Sequence, residues 1–288
     1  MLAKAPTLTH GSLFTGVGGF NLAFQSLGIP TCWMVEIEPY SQAVLRKHFP
    51  GVPLHGDIRG VGAKNLAGVD IISGGFPCQP FSQAGKRKGK ADARHLWPEM
   101  FRVVVEVRPR WVVAENVRGI LSDDGGRIHD RVCTDLEAEG YEVETFVLPA
   151  VAFGAPHERE RIWIVARDDA YGYGDFGKDV AGARPEQFVA PLPPIVQGTL
   201  EETDEIWDCW KHELGTRNVG QDGSATEPEA DAYARGVRAA HGIPGWAHRL
   251  KACGNAVVPQ VAAWIAMQIL RHEQDAARCD GKGGRHGN

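Results

Sequence analysis

No two cysteines in this chain stand at C-x-x-C spacing, and none joins histidines in the pattern of a zinc site. The six that occur, Cys32, Cys78, Cys133, Cys209, Cys253 and Cys279, are scattered along the sequence. A disulfide framework and a zinc-dependent regulator are excluded on spacing, no metal is expected, and the thiols read as reduced ones in a cytoplasm. An excess of positive charge is also missing: 31 Lys and Arg face 36 Asp and Glu, a formal net charge of −5. A histone-like binder is thereby excluded, and any nucleic acid must be met by a local basic patch. The most apolar late stretch, Val257 to Leu270, is broken by Pro259, Gln260 and Gln268 and falls short of the roughly 20 residues that cross a bilayer. No membrane span is expected. Met1 to Thr7 has neither the charged nor the long apolar segment of a secretory signal, so no export is expected. What remains is ample for a core, since 43% of the 288 residues are hydrophobic and only 23% charged.

From residue 8 to about 166, short apolar runs alternate with helix-like segments. Leu8–Phe14, Cys32–Glu36, Val69–Ser73, Trp111–Ala114, Val143–Leu148 and Ile162–Ala166 read as strands. The middle ones are nearly continuous in apolar character, as expected for strands buried on both faces. Asn21–Leu27, Pro39–His48, Leu96–Val107 and Ile128–Glu139 carry apolar residues at helical spacing. The alternation predicts an α/β fold with a parallel sheet covered by helices on both sides. The pattern breaks from about 168 to 245, a Gly-, Asp-, Glu- and Pro-rich stretch that reads as a small irregular region inserted into the α/β domain. An amphipathic helix resumes at about Asn255. The predicted division is 1–168, 169–245, 246–276 and a disordered tail over 277–288.

Five constellations could carry chemistry. Phe14-Thr-Gly16-Val-Gly18-Gly19-Phe20 follows a predicted strand and opens a predicted helix, where glycines let the backbone approach a ligand; a tight turn without a ligand has the same pattern. Glu36 stands about 20 positions further on, where a carboxylate holds a ribose diol and disfavours a 2′-phosphate. That spacing fits an adenosine-containing cofactor, and the absence of a G-K-[ST] turn argues against nucleoside triphosphate hydrolysis. Gly74-Gly75-Phe76-Pro77-Cys78-Gln79-Pro80-Phe81-Ser82 lies past the carboxyl end of an apolar strand, where ligands bind in open α/β sheets; its prolines and glycines favour an exposed nucleophile over a core thiol. Glu115-Asn116-Val117 ends another buried strand. Burial would raise that carboxyl into an acid/base range, although a helix-capping acid is the commoner meaning. In His157-Glu158-Arg159-Glu160-Arg161, the period of a strand puts both arginines on one side, as an anion or carbonyl clamp or as part of a solvated edge. Gly254-Asn255 before the last helix offers donors to an anionic group, or merely caps the helix.

Taken together, in this order and spacing, these blocks resemble the bacterial and phage-type DNA (cytosine-5)-methyltransferases, over residues 10–168 and 242–272. The resemblance implies a Rossmann-like class I methyltransferase fold with a mostly parallel sheet and a small target-recognition region. It implies S-adenosyl-L-methionine as cofactor and S-adenosyl-L-homocysteine as product. Phe14, Gly16, Gly18 and Gly19 would form the cofactor turn, Glu36 would take the ribose hydroxyls, and Ile37 would pack on the adenine with Asp57 and Ile58 at its edge. Pro77, Leu96, Asn255 and Ala256 would complete that pocket. Cys78 would be the nucleophile toward cytosine C6, Glu115 would bond N3 and the exocyclic amine, and Arg159 and Arg161 would hold the O2 edge and the cysteine loop. Ser82, Gln83, Lys86, Arg87, Lys88 and Arg94 would meet double-stranded DNA. A cytoplasmic monomer is expected. His157 replaces a common Gln, and Trp246 a common basic residue, so contacts made by those relatives do not carry over. Competing readings are an exocyclic-amine methyltransferase, which lacks its Asp/Asn-Pro-Pro-aromatic loop here, an RNA cytosine-5 methyltransferase, and a catalytically idle DNA-binding or cofactor-sensing module.

Overall fold

The computed structural model describes residues 8–77, 96–153, 158–171, 176, 252 and 254–283. Seven strands and five α-helices lie among them. In chain order they are β1 (His10–Leu13), α1 (Gly19–Ser26), β2 (Thr31–Val35), α2 (Pro39–His48), β3 (Leu54–His55), β4 (Ile71–Gly74), α3 (Trp97–Val107), β5 (Trp111–Val117), α4 (Arg127–Ala138), β6 (Tyr141–Pro149), β7 (Glu160–Asp168) and α5 (Pro259–Gly283). All the strands join one sheet in the order β3-β2-β1-β4-β5-β7-β6.

The near-continuous apolar strands have a direct explanation in this sheet. Side chains alternate between faces, and each face is covered by helices. On one side Ile71, Trp111, Val113, Trp163 and Val165 meet α1 and α5 through Phe20, Phe24, Val261 and Ile265. On the other, Ile72, Val112, Ala114, Ile162 and Ile164 meet α3 and α4 through Met100, Val104, Val132 and Leu136. Both faces are buried, so the alternation of polarity seen in half-exposed strands disappears.

The structure differs from the sequence expectation at β7, at β3 and in the last helix. Five strands run parallel, but β7 is antiparallel to both β5 and β6. Among the described residues only the single 3-10 turn Ala150–Phe153 stands between β6 and β7, and a parallel pairing needs a crossover that so short a connection cannot make. The strand β3, of only two residues, carries too little pattern to be read. The last helix begins at Pro259, after Asn255, and its backbone continues to Gly283, past the point where a disordered tail is expected. No helix among the described residues is long and apolar enough to cross a membrane.

Buried polar groups pin these layers together. Trp111 Nε1 donates to Glu273 Oε1 at 2.9 Å, Arg110 pairs with Glu273 at 2.6 Å, and Arg167 donates to His272 Nε2 at 2.6 Å, so α5 is fastened to the sheet by polar groups midway along its length as well as by its apolar face. Beneath β1, His10 lies against Phe24 with ring centroids 4.3 Å apart. Its Nδ1 is 3.1 Å from Thr31 Oγ1 and its Nε2 2.7 Å from Ser73 Oγ, which ties β1 to both of its neighbours. Burial pushes its pKa down to about 3 from 6.5. The unfolded chain therefore takes up a proton at a pH where the folded chain cannot. Unfolding free energy should fall as pH drops from about 6.5 toward 3, by up to about 1.4 kcal/mol per pH unit from this group. Urea titrations of the protein and of His10→Gln should show a shallower acid slope in the variant; equal slopes would remove His10 from that role.

Candidate active site

The carboxyl ends of β1, β2, β4 and β5 converge on one cavity of about 430 Å³. This is the edge at which parallel α/β sheets bind ligands, because the loops leaving adjacent strands there part to opposite faces.

At one end lies the turn after β1. Phe14 (φ 49°) and Gly16 (φ 57°) both hold left-handed backbone, the second in a conformation that favours glycine, and both line the cavity. Gly16 N–H donates to Glu36 Oε2 at 2.7 Å, and Glu38 N–H donates to Glu36 Oε1 at 2.7 Å. Glu36 thus fastens the turn to the end of β2, and a carboxylate with about four acceptor sites is not exhausted by these donors. Burial moves its carboxyl above the ordinary value, against the lowering effect of these N–H donors. Ile37 beside it is 64% exposed, a large apolar side chain left open at the cavity wall. Asp57 caps the turn Ile58–Gly60, accepting from Arg59 N–H at 3.0 Å, and Ile58 is buried against the cavity.

Three of the predicted cofactor residues fall behind the wall. A Cβ on Gly18 (φ 95°) would meet Phe49, and one on Gly19 would come within 2.4 Å of the Val257 carbonyl oxygen. Ala256 is buried and contributes its carbonyl to Arg159 instead. Their smallness serves close packing of α1 on α2 and on the segment before α5. Pro77, Leu96 and Asn255 do line the cavity. So do Glu38, Ser41 and Arg59, which the sequence reading does not single out; nothing but proximity to Glu36 and Asp57 in sequence could have flagged them.

At the other end stands Glu115, 8% exposed, near the carboxyl end of β5. Arg161 Nε lies 3.0 Å from its Oε1. Burial outweighs both nearby guanidinium groups, Arg161 and Arg159, and pushes the carboxyl up to about 7. Gly75 packs closely here, since a Cβ would sit 3.1 Å from Glu115 Oε2 and the carboxyl would have to shift by a few tenths of an ångström. Asn116 Nδ2 donates to the Phe76 carbonyl at 2.9 Å, which fixes the Gly75-Phe76-Pro77 loop against Glu115. Asn116 was visible in the sequence only as the neighbour of the acid. The two arginines do not act as one strand face. β7 begins at Glu160, Arg159 has φ 29°, and its Nη2 donates at 2.8 Å to the carbonyls of both Gly254 and Ala256. Both arginines nevertheless line the cavity, while Glu160 turns away to pair with Arg118.

Cys78, the residue after Pro77, lies outside the described residues, as do Ser82, Gln83, Lys86, Arg87, Lys88, Arg94, His157 and most of the 169–245 region. Among the described residues no group of three or more His, Cys, Asp or Glu could hold a metal ion.

Residues 8–222 match the family model of the C-5 cytosine-specific DNA methylases. The chain is 36% identical over 200 residues to the type II methyltransferase M1.ScrFI of Lactococcus lactis subsp. cremoris, an alignment covering 68% of this chain and 51% of that protein. It is 38% identical over 154 residues to the type II methyltransferase M.HhaI of Haemophilus parahaemolyticus, covering 53% and 47%. The chain spans about half the length of these curated relatives. In fold it resembles the Dnmt2 methyltransferase of S. pombe, with a TM-score of 0.58, 19% identity, and coverage of 91% of this chain and 98% of that one. With three quarters of its length matched, the chain belongs to the C-5 cytosine-specific DNA methylase family.

Proposed function

We propose that this chain transfers a methyl group from S-adenosylmethionine to C5 of cytosine in duplex DNA, with Cys78 as a transient nucleophile. The observation that carries this reading is Glu115: a carboxyl held near neutral pKa at the end of a buried strand, bonded to Arg161, in the same cavity as the Gly16–Glu36 turn and the loop that leads into Cys78.

The cavity suits the cofactor. Glu36 offers acceptor sites for a ribose diol, the exposed Ile37 offers an apolar surface for adenine, and Phe14, Gly16, Asp57 and Ile58 complete that end. Pro77, Leu96 and Asn255 would flank the amino-acid part. Bound there, the cofactor supplies an electrophilic methyl group and leaves as S-adenosylhomocysteine.

Cytosine C5 is too weak a nucleophile to take that group unaided. Addition of the Cys78 thiolate to C6 makes C5 enamine-like, and protonated Glu115 can hydrogen-bond N3 where charge develops. A carboxyl with a pKa of about 7 is partly protonated at neutral pH and can donate where an ordinary carboxylate can only accept. Arg161 orients it. After C5 is methylated, a base such as water removes the C5 proton, the C6–sulfur electrons return to sulfur, and the thiolate departs. A stacked base cannot reach a carboxyl this deeply recessed, so the cytosine flips out of the helix first. Ser82, Gln83, Lys86, Arg87, Lys88 and Arg94 would meet the DNA backbone, residues 169–245 would read its sequence, and the protein would act as a cytoplasmic monomer without a metal.

Incorporation of labelled methyl groups into duplex DNA and into tRNA, with base-resolution mapping of 5-methylcytosine, tests this directly. Label is expected in a specific duplex sequence and not in tRNA. Cys78→Ser should abolish transfer while retaining S-adenosylhomocysteine binding; 5-methylcytosine made by that variant would refute the nucleophile. Glu115→Gln should slow the single-turnover chemical step by about 10²-fold or more with little change in DNA affinity.

Glu115 also makes a prediction about stability. Below pH 4.5 the carboxyl is neutral folded and unfolded; from there to about 7 the unfolded chain ionises while the buried group resists. Unfolding free energy should therefore decline over that window relative to Glu115→Gln, by up to about 3 kcal/mol. Parallel pH profiles of the two proteins would reject the raised pKa.

A further inference from the structure

Arg159 stands beside Glu115, yet the described hydrogen bonds of its Nη2 go elsewhere. That one nitrogen donates at 2.8 Å to the carbonyl of Gly254 and at 2.8 Å to that of Ala256. The residue between those carbonyls, Asn255, lines the cavity, as does Gly254. The guanidinium therefore grips the main chain on both sides of a wall residue. On its far side the same segment is stopped by Gly19, at the start of α1, where the Val257 carbonyl oxygen lies 2.4 Å from the place of a Cβ. Residues 254–257 are wedged between Arg159 and α1.

The topology makes this grip consequential. Arg159 precedes β7, and its acceptors lie 95 and 97 residues further along the chain, where the main chain returns toward the cavity ahead of α5. Ala256 and its neighbours belong to no strand, so no ladder fixes the height of Asn255 over the cavity. Arg159 itself holds φ 29°, a backbone state that a residue other than glycine keeps only where its surroundings enforce it. Arg161, two residues on, is the one that pairs with Glu115.

We infer that Arg159 is a positioning residue: through the Gly254 and Ala256 carbonyls it sets the Asn255 wall of the cavity and thereby cofactor affinity, while Arg161 makes the ion pair with the reacting carboxyl. The inference rests on the cofactor reading of this cavity. Two arginines that look like a matched pair in sequence thus divide between two tasks. Lysine can keep the charge and one of the bonds, but its shorter, flexible stem lacks the planar guanidinium that holds Nη2 between the two carbonyls, so less of the grip is pre-organised.

Isothermal titration with S-adenosylhomocysteine, without DNA, on the wild type, R159A and R159K tests this, together with far-ultraviolet circular dichroism and methyl-transfer kinetics. The expected result is native helical signal, affinity weakened about tenfold or more in R159A, and partial rescue in R159K. In kinetics the loss should fall on KM for the methyl donor more than on kcat. Unchanged affinity in R159A with a slowed single-turnover step would overturn the inference in favour of contact with the base. Loss of helical signal in both variants would overturn it in favour of a purely fold-stabilising contact. If the wild type itself fails to bind S-adenosylhomocysteine, the cofactor reading falls and this inference with it; if only the variants match the wild type, the inference falls alone.

Discussion

A carboxyl buried at the end of a strand that is apolar on both faces has few ways to be stable. Glu115 is held by Arg161 and sits so close to the β4 loop that a Cβ at position 75 would lie 3.1 Å from its Oε2. Desolvation still dominates its two cationic neighbours, so the group stays near neutrality instead of titrating as an ordinary acid. Much of the surrounding structure follows from accommodating it. Asn116 turns its amide onto the Phe76 carbonyl, which holds the loop ending at Pro77 beside the acid. β7 runs antiparallel to β5, which brings Arg161 opposite Val117 and within reach of Glu115.

The other end of the cavity solves a different problem. The turn after β1 holds left-handed backbone at Phe14, Gly16 and Gly18, and the part-buried Gly16 N–H needs an acceptor. Glu36 provides one, accepting from both Gly16 and Glu38. A carboxylate that binds its own loop and retains acceptor capacity is already arranged before a ligand arrives, so little ordering remains to be done on binding. The two ends share a wall formed by a segment far along the chain, and Arg159 connects them.

Much of this was legible in residues. The strand and helix alternation marks out a doubly covered sheet, and Gly16, Glu36, Glu115 and Arg161 are named by local pattern alone. Other positions carry more than one meaning. Gly18 and Gly19 look like ligand glycines, because a glycine kept small for packing against Phe49 or Val257 leaves the same mark as one kept small for a cofactor. The pairing of Arg159 with Arg161 assumed strand geometry, which a positive φ breaks. Asn116, Ser41 and Arg59 carry no pattern, since a residue contributing one bond or one surface to a cavity needs no periodic neighbours.

By itself the sequence determined the layered α/β class, the loops at which chemistry could occur, the family, and the types of group on hand: a thiol, two carboxyls, two guanidinium groups and a glycine turn. Periodicity, turn chemistry and motif spacing are local, and local information suffices for these. Only the tertiary structure decided that β6 and β7 run antiparallel, that Glu115 and Glu36 open into one cavity, and that Arg159 serves a segment nearly a hundred residues away. Those outcomes depend on which buried surfaces and unpaired polar atoms meet across the sheet, and chain order does not encode that distance.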